Sequence, residues 1–240
     1  RPKLAMYLGE GPDLCGEVHV IDLGLDAATP ADQQATAELP EWSDLAAKWP
    51  VRRASDHKNS VGHLLVVAGS AAMTGAAILV CKGALAAGIG LVTLVATRGM
   101  RARLAGAPPE VMLLDGGEGD TLPSLPDISR FDAIAVGPGL GGGGPLPTVL
   151  REGLTDHWAI DPRPWVADAD ALPCTGPSSA PRVLTPHPGE AARLLGGTTA
   201  YVQADRLGSA QRLASRGTVL LKGRYTVVAA EGWRPSLNPT

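Results

Sequence analysis

"HLLVVAGSAAMTGAAILVCKGALAAGIGLVTLVAT", residues 63–97, contains an apolar run, a turn of small residues, a longer apolar segment and a second apolar run. The two short runs are typical of buried strands, and the segment between them has the length of a helix. A helical connection of this kind makes the two strands parallel, so the stretch predicts one unit of a parallel α/β sheet. We expect its helix, about residues 74–88, to be buried, because Lys82 is its only charged residue.

The alternation of strand, turn and helix continues along the chain. Further strand-like runs are "DAIAVGPG", "PWVADAD", "RVLTP" and "TVLLKG", and helix-like runs are "RGMRARLAG", residues 145–153, "GEAARLLG" and "VQADRLGSAQRLASR". They predict an α/β fold with a mostly parallel central sheet and helices on both faces. The last pair, "TVLLK" and "YTVVAAEGW", predicts a β-hairpin joined by Gly223 and Arg224.

Composition restricts the classes of function. The 240 residues carry a formal net charge of −3 and no stripe of one sign, which argues against a nucleic-acid or membrane partner. No apolar run is long enough to span a membrane, and no signal peptide is visible. Three separated cysteines indicate neither a disulfide framework nor a zinc site. We therefore expect a cytoplasmic protein that acts on small molecules.

The upstream part of the chain has a different character. "EVHVIDLGL", residues 17–25, predicts one strand. Residues 26–40, "DAATPADQQATAELP", are polar and lack apolar periodicity, so they predict a linker.

Two turns of small residues follow predicted strands. In "VVAGSAAMTGAA" a helix begins near Thr74, and its free backbone amides could bind an anion. The alternative is an ordinary turn capped by Thr74.

"VGPGLGG" contains G-x-G-x-x-G, which makes a Rossmann oxidoreductase an alternative interpretation of the chain. Pro138 and the following "GGPLP", however, prevent a helix from starting there. We interpret this second turn as a glycine loop where a ligand meets bare backbone.

Two acidic residues end the strand in "VADADAL". On an extended segment the carboxylates of Asp168 and Asp170 would point the same way, and could hold Mg²⁺ through water or position a polar substrate. The alternative is that Asp170 caps a helix while Asp168 is solvated.

A histidine lies between two prolines in "TPHPGE". Pro188 suits the first helical turn and Glu190 its positive end, so His187 is held rigidly where it could bond a ligand. A lone histidine is otherwise usually a surface or core residue.

In "VLLKGRYTVV", Lys222 and the Gly223 amide could bind a nucleotide phosphate. The alternative is a hairpin turn with a solvated lysine.

Together and in order, these segments resemble the NAD(P)H-hydrate dehydratase family of ribokinase-like fold. The resemblance covers about residues 41–240 and rests on "HKNSVGHLLVVAGS", "MTGAA", "GPGLG", "DADAL", "TPHPGEAARLLG" and "LLKGRYT". It implies a nucleotide-dependent lyase that phosphorylates the hydroxyl of S-form hydrated NADH or NADPH and eliminates phosphate. It also implies ADP or ATP with Mg²⁺ as cofactors, and a homo-oligomer. Residues 1–25 resemble the end of an NAD(P)H-hydrate epimerase domain.

The resemblance also assigns residues. It implies that Ala76, Gly139, Gly141 and His187 touch the hydrated dinucleotide, and that the adenine nucleotide is bound by Lys222, Gly223, Arg224, Tyr225 and Thr226. The family's G-[TS]-G-D motif would follow Thr240, so we expect the catalytic aspartate, and the C-terminal part of the domain, to lie beyond this chain. The alternatives are a small-molecule kinase of the same fold and a nucleotide-binding module without catalysis.

Overall fold

The computed structural model describes residues 3–21 and 35–238. Its strands are β1 (His63–Val67), β2 (Leu91–Ala96), β3 (Met112–Asp115), β4 (Ala133–Val136), β5 (Trp165–Ala167), β6 (Arg182–Leu184), β7 (Thr218–Leu221), β8 (Thr226–Ala229) and β9 (Ser236–Asn238). Its α-helices are α1 (Gly11–Leu14), α2 (Trp42–Ala46), α3 (Thr74–Ala86), α4 (Arg98–Arg101), α5 (Thr148–Ile160), α6 (Pro188–Leu195), α7 (Thr199–Ala204) and α8 (Arg206–Leu213). Short 3₁₀ helices cover Leu4–Met6, Ala169–Cys174 and Ala214–Arg216.

The chain divides into two compact units. We call Val51–Thr185 the parallel unit, and Arg1–Pro50 together with Pro186–Thr240 the hairpin unit. No helix among residues 3–21 and 35–238 is both long and apolar enough to cross a membrane.

The parallel unit contains the sheet that the sequence predicts. Its strand order is β3-β2-β1-β4-β5-β6, and all neighbouring strands run parallel. In the central strand β1, the consecutive residues Leu65, Val66 and Val67 are fully buried. A strand whose successive side chains are all buried is covered on both faces, which explains its uninterrupted apolar sequence. The predicted α/β fold with a mostly parallel sheet is confirmed.

Helix α3 forms where the sequence predicts it, but it is not buried all round. Ala77 and Cys81 are buried against β1 and β2, whereas Leu79 is 71% exposed. The expectation of a buried helix was wrong because one face suffices to cover the sheet, and a segment that is apolar all round does not indicate which face that is. Met73, which forms no side-chain cap, occupies the N-cap position, so the alternative with Thr74 as cap is also wrong.

Helices α5 and α4 differ in extent from the prediction. Helix α5 begins at Thr148 because Pro147 has an extended ψ of 141° at the N-cap, and it buries Leu150, Leu154 and Trp158. Helix α4 is a single turn. Strand β3 was not predicted from the sequence, since its four residues are mostly exposed and lack a long apolar run.

The hairpin unit contains an antiparallel sheet of β7, β8 and β9. Leu221 lies opposite Val227, which confirms the predicted hairpin, and β9 adds a short strand that was not predicted. The backbone of Glu38 pairs with β9, since its amide donates to the Pro235 carbonyl at 2.8 Å. Residues 17–21 form no strand, contrary to the prediction. Residues 22–25 of that strand and 26–34 of the predicted linker lie outside the described residues, so the domain boundaries stay predictions.

Candidate functional site

In the parallel unit, a glycine loop of residues 137–144 follows β4. The Gly137 amide donates to the Val67 carbonyl at 3.0 Å, and the Gly69 amide donates to the Pro138 carbonyl at 2.7 Å. These bonds join the loop to the end of β1. Helix α5 begins only at Thr148, after the G-x-G-x-x-G segment has ended. The loop therefore lacks the direct passage into a helix that a dinucleotide-binding turn requires.

The loop lies directly on the first turn of α3. Gly139 has a φ of +72°, and a Cβ atom built on it would lie 2.9 Å from Cβ of Met73 and 3.1 Å from Cβ of Ala76. Only glycine fits this contact without displacing the helix. The structure thus brings together Ala76 and Gly139, two of the residues predicted to touch the substrate.

Asp170 holds the same loop from the other side. Its Oδ2 accepts a hydrogen bond from the Gly141 amide at 3.0 Å, which brings two more predicted residues, Gly141 and Asp170, to the loop. The expectation that Asp168 and Asp170 share one extended segment was wrong, because Ala169 has a φ of +47° and starts a 3₁₀ helix. The alternative with Asp170 as cap was wrong too, since Asp168 occupies the N-cap position and is partly buried.

The donor set around these aspartates bears on metal binding. Among residues 3–21 and 35–238, no group of three or more His, Cys, Asp and Glu side chains could hold a metal ion. Mg²⁺ at phosphate-transfer sites usually keeps water and binds one or two carboxylates together with substrate phosphates. Asp168 and Asp170 are too few to form a resident metal site by themselves, and their assignment to a Mg²⁺ that arrives with a phosphorylated ligand stays a prediction.

In the hairpin unit, His187 is the N-cap of α6. Its Nδ1 accepts hydrogen bonds from the amides of Gly189 at 3.0 Å and Glu190 at 3.4 Å. The Glu190 carboxylate accepts in return from the His187 amide at 2.8 Å, which completes a capping box. Because Nδ1 is an acceptor, the neutral ring carries its proton on Nε2, 3.3 Å from the other Glu190 oxygen. These hydrogen bonds fix the orientation of the ring.

The sequence indicates Glu190 only as an acidic residue at the positive end of α6, and not as a neighbour of the turn between β7 and β8. Its side chain is almost fully buried, and Oε2 lies 4.0 Å from Nζ of Lys222. The Lys222 amide donates to the Pro186 carbonyl at 2.8 Å, so the predicted His187 and Lys222 are joined through backbone and carboxylate. The sequence contained a signal for the pairing of Glu190 with His187. A capping box usually has the spacing S/T-x-x-E, and H-x-x-E has the same spacing with histidine in place of the hydroxyl residue.

The turn between β7 and β8 contains the residues predicted to bind the nucleotide. Tyr225 has a φ of +56°, a left-handed conformation that is strained and rare outside glycine, whereas Gly223 has a φ of +139° that glycine adopts readily. The hydroxyl of Thr226 donates to the Gly223 carbonyl at 3.4 Å. The five predicted residues therefore share one tight turn.

The upstream segment contacts this turn, which the sequence did not indicate. Asp13 forms an ion pair with Arg224, and this hydrogen bond raises the pKa of the arginine. The ring of Tyr7 packs edge-on against Tyr225, with 5.6 Å between the ring centroids.

A cavity of about 1100 Å³ also lies in the hairpin unit. It is lined by the upstream segment, α2 and the β8–β9 side of the sheet, including Tyr7, Leu45 and Leu237. None of the predicted site residues lines it, so we do not include it in the candidate site.

Known proteins resemble this chain over most of its length. Residues 64–240 match the protein family described as NAD(P)H-hydrate dehydratase. A bifunctional NAD(P)H-hydrate repair enzyme of Moorella thermoacetica is 37% identical, over 100% of this chain and 48% of the relative. An ADP-dependent (S)-NAD(P)H-hydrate dehydratase of Neisseria meningitidis is 40% identical, over 74% of this chain and 62% of the relative. The chain thus spans about half the length of the bifunctional relative.

A solved structure has the same fold. The ADP/ATP-dependent NAD(P)H-hydrate dehydratase of Bacillus subtilis, co-crystallised with ATP and Mg²⁺, superposes with a TM-score of 0.72 at 31% identity, covering 85% of this chain and 73% of that chain. A ribokinase-like superfamily protein of Enterococcus faecalis, 20% identical, covers 85% of this chain and 72% of its own with a TM-score of 0.66. The fold is therefore ribokinase-like.

Proposed function

Because the chain belongs to the NAD(P)H-hydrate dehydratase family, we propose that it carries the nucleotide-dependent activity of an NAD(P)H-hydrate repair enzyme. The proposed substrate is the S form of hydrated NADH or NADPH. ADP or ATP transfers its terminal phosphoryl group to the hydroxyl that hydration added, and loss of phosphate and a proton restores the dihydropyridine. The family match over residues 64–240 carries this proposal.

The chemistry explains the need for a nucleotide. A hydroxyl is a poor leaving group, whereas a phosphate leaves readily, so phosphorylation makes the dehydration feasible. The protein then has to position the two substrates and stabilise charge on the transferring group. Mg²⁺, when bound with the nucleotide, would neutralise part of that charge, and Asp168 and Asp170 are the carboxylates that we assign to its surroundings.

We assign the predicted residues to two ligands. The hydrated dinucleotide is bound by Ala76, Gly139, Gly141 and His187, and the adenine nucleotide by Lys222, Gly223, Arg224, Tyr225 and Thr226. Two observations support these roles: bare glycine backbone packs on Ala76, and the His187 ring is fixed by its capping bonds.

The proposal extends to the whole protein. We assign residues 1–25 to the end of an epimerase domain, 26–40 to a linker and 41–240 to the dehydratase domain. We expect a homo-oligomer in the cytosol, without nucleic-acid or membrane partners. Light scattering of the purified protein tests the oligomeric state.

The activity is tested with the protein as it is encoded in its source. Hydrated NADH is incubated with Mg²⁺ and either ADP or ATP, and the return of NADH absorbance is followed against a control without nucleotide. We expect nucleotide-dependent recovery of NADH. Phosphorylation of a vitamin-like alcohol without recovery of NADH would replace the proposal with a small-molecule kinase. Nucleotide binding without any turnover would favour a binding module.

A further inference from the structure

Arg206, the first residue of α8, lies beneath the turn between β7 and β8. The residue is only 5% exposed. Its Nη2 donates to the carbonyls of Leu221 at 3.1 Å, Lys222 at 3.3 Å and Tyr225 at 3.4 Å. Its Nη1 donates to Oε1 of Gln203 at 3.1 Å. One guanidinium thus holds both ends of the turn.

The charge of Arg206 is compensated by dipoles alone. No ion pair in the described part of the chain involves Arg206. Its buried Nε has no hydrogen-bond partner among the described residues. Burial lowers the pKa of Arg206, but a guanidinium stays protonated at neutral pH. Burial of a cation without a carboxylate partner costs folding free energy. A stabilising role therefore does not account for the position of Arg206 beneath this turn.

The guanidinium also sets the shape of the turn. A Cβ atom built on Gly223 would lie 3.0 Å from Nη1, so the backbone of Gly223 rests directly on the charged group. Tyr225 adopts its left-handed conformation where its carbonyl meets Nη2. A left-handed conformation at a bulky residue costs free energy and persists only where its surroundings hold it.

We propose that Arg206 is a positioning residue for the adenine nucleotide. This inference rests on the proposed function, which assigns nucleotide binding to the turn. The guanidinium fixes the backbone amides of the turn for the nucleotide. Its charge, which no carboxylate in the described part of the chain neutralises, adds positive potential beneath the turn. The residue acts through the turn, because its own donors are bonded to carbonyls.

The test compares Arg206→Lys and Arg206→Met with Arg182→Lys and Arg182→Met. Arg182 is the matched control, since it is also buried and also donates to backbone carbonyls, none of which belongs to a predicted site residue. For each protein we would measure the Kd for ADP by calorimetry, the KM for ADP and for hydrated NADH, kcat and the melting temperature.

We expect Arg206→Lys to raise the Kd and KM for ADP about tenfold, because an ammonium group cannot bond to several divergent carbonyls as a guanidinium does. The KM for hydrated NADH should change less than about twofold, and Arg206→Met should weaken ADP binding further. The Arg182 variants should lower the melting temperature and leave ADP binding unchanged.

The outcomes distinguish a positioning role of Arg206 in nucleotide binding from a purely structural role. An ADP affinity within about twofold of wild type in Arg206→Lys would overturn the positioning role, whatever the melting temperature. Equal losses of ADP affinity in folded Arg206 and Arg182 variants would also overturn it, because the effect would then be general destabilisation. A wild type that binds ADP but does not dehydrate the hydrate refutes the proposed reaction while the comparison of variants still stands. A wild type that binds no ADP refutes both.

Discussion

Two buried arginines, Arg182 and Arg206, bind backbone carbonyls in the two units, but the carbonyls belong to different kinds of structure. Arg182 donates to the carbonyls of Trp158 at 2.7 and 2.9 Å, Asp161 at 2.5 Å and Arg163 at 2.7 Å, at and after the end of α5. Arg206 donates to carbonyls around a strained hairpin turn at 3.1 to 3.4 Å. The shorter bonds close a helix end, and the longer ones hold a loop.

The surroundings differ in charge as well. Burial lowers the pKa of Arg182, while the nearby Asp161 carboxylate partly opposes this effect. The pKa of Arg206 is lowered by burial without an opposing carboxylate. We therefore attribute a stabilising role to Arg182, whereas the charge of Arg206, which meets only backbone and amide dipoles, adds positive potential beneath the turn.

The largest expected effect is on stability, from Arg182→Met. The variant leaves several buried carbonyls after α5 without donors, and each unsatisfied buried group is costly. We expect the free energy of unfolding to fall by about 4 kcal/mol. Urea unfolding measures the loss, with Arg206→Met as comparison. A larger loss in Arg206→Met than in Arg182→Met would break the distinction between a stabilising arginine and a positioning one.

Much of the fold could be predicted because strand and helix periods are visible in the sequence. The apolar run at residues 63–67 and the small residues after Gly69 define β1 and the start of α3. The exposed Leu79 could not be predicted, since α3 is apolar on all sides and only tertiary packing selects its buried face. Strand β9 is short, and it is stabilised by pairing with β8 rather than by its own pattern.

The candidate site was predictable where backbone geometry demands a residue type. Gly139 and the prolines around His187 have such a signature. Arg206 has none, because an arginine at the start of a polar helix looks like any solvated residue until the turn after β7 folds over it. Glu190 was predicted only at the positive end of its helix, and its proximity to Lys222, 32 positions away in the sequence, could not be predicted from local spacing.

A smaller, pH-dependent effect is expected near Arg182. Burial raises the pKa of Asp161, but hydrogen bonds and charge from Arg163 outweigh this and hold the pKa below its usual value. A depressed carboxyl pKa stabilises the protein above the unfolded pKa of about 4, and this stability is lost as the pH falls through the folded pKa. We expect Asp161→Asn to lower the free energy of unfolding by about 2 kcal/mol at pH about 6.

The stability difference between wild type and Asp161→Asn should shrink when the pH is lowered from about 6 to about 3, because the unfolded chain then binds a proton that the folded carboxyl, with its lowered pKa, resists. Urea unfolding at both pH values measures it, with the exposed Asp156→Asn on α5 as control. ADP binding should not follow this titration, since Arg206 has no carboxylate partner in the described part of the chain. A constant difference between the two pH values would contradict the role given to the Asp161 carboxylate.

The smallest effect is expected on the outer side of the nucleotide turn, from Asp13→Asn. The ion pair between Asp13 and Arg224 is exposed, and such pairs are screened by water and salt. If Arg206 fixes the turn from beneath, loss of the outer pair should change the Kd for ADP less than about twofold at physiological salt. Calorimetry at low and high salt measures this, with Arg206→Lys in parallel. A loss of ADP affinity greater than that of Arg206→Lys would mean that the upstream segment, rather than the buried guanidinium, positions the turn.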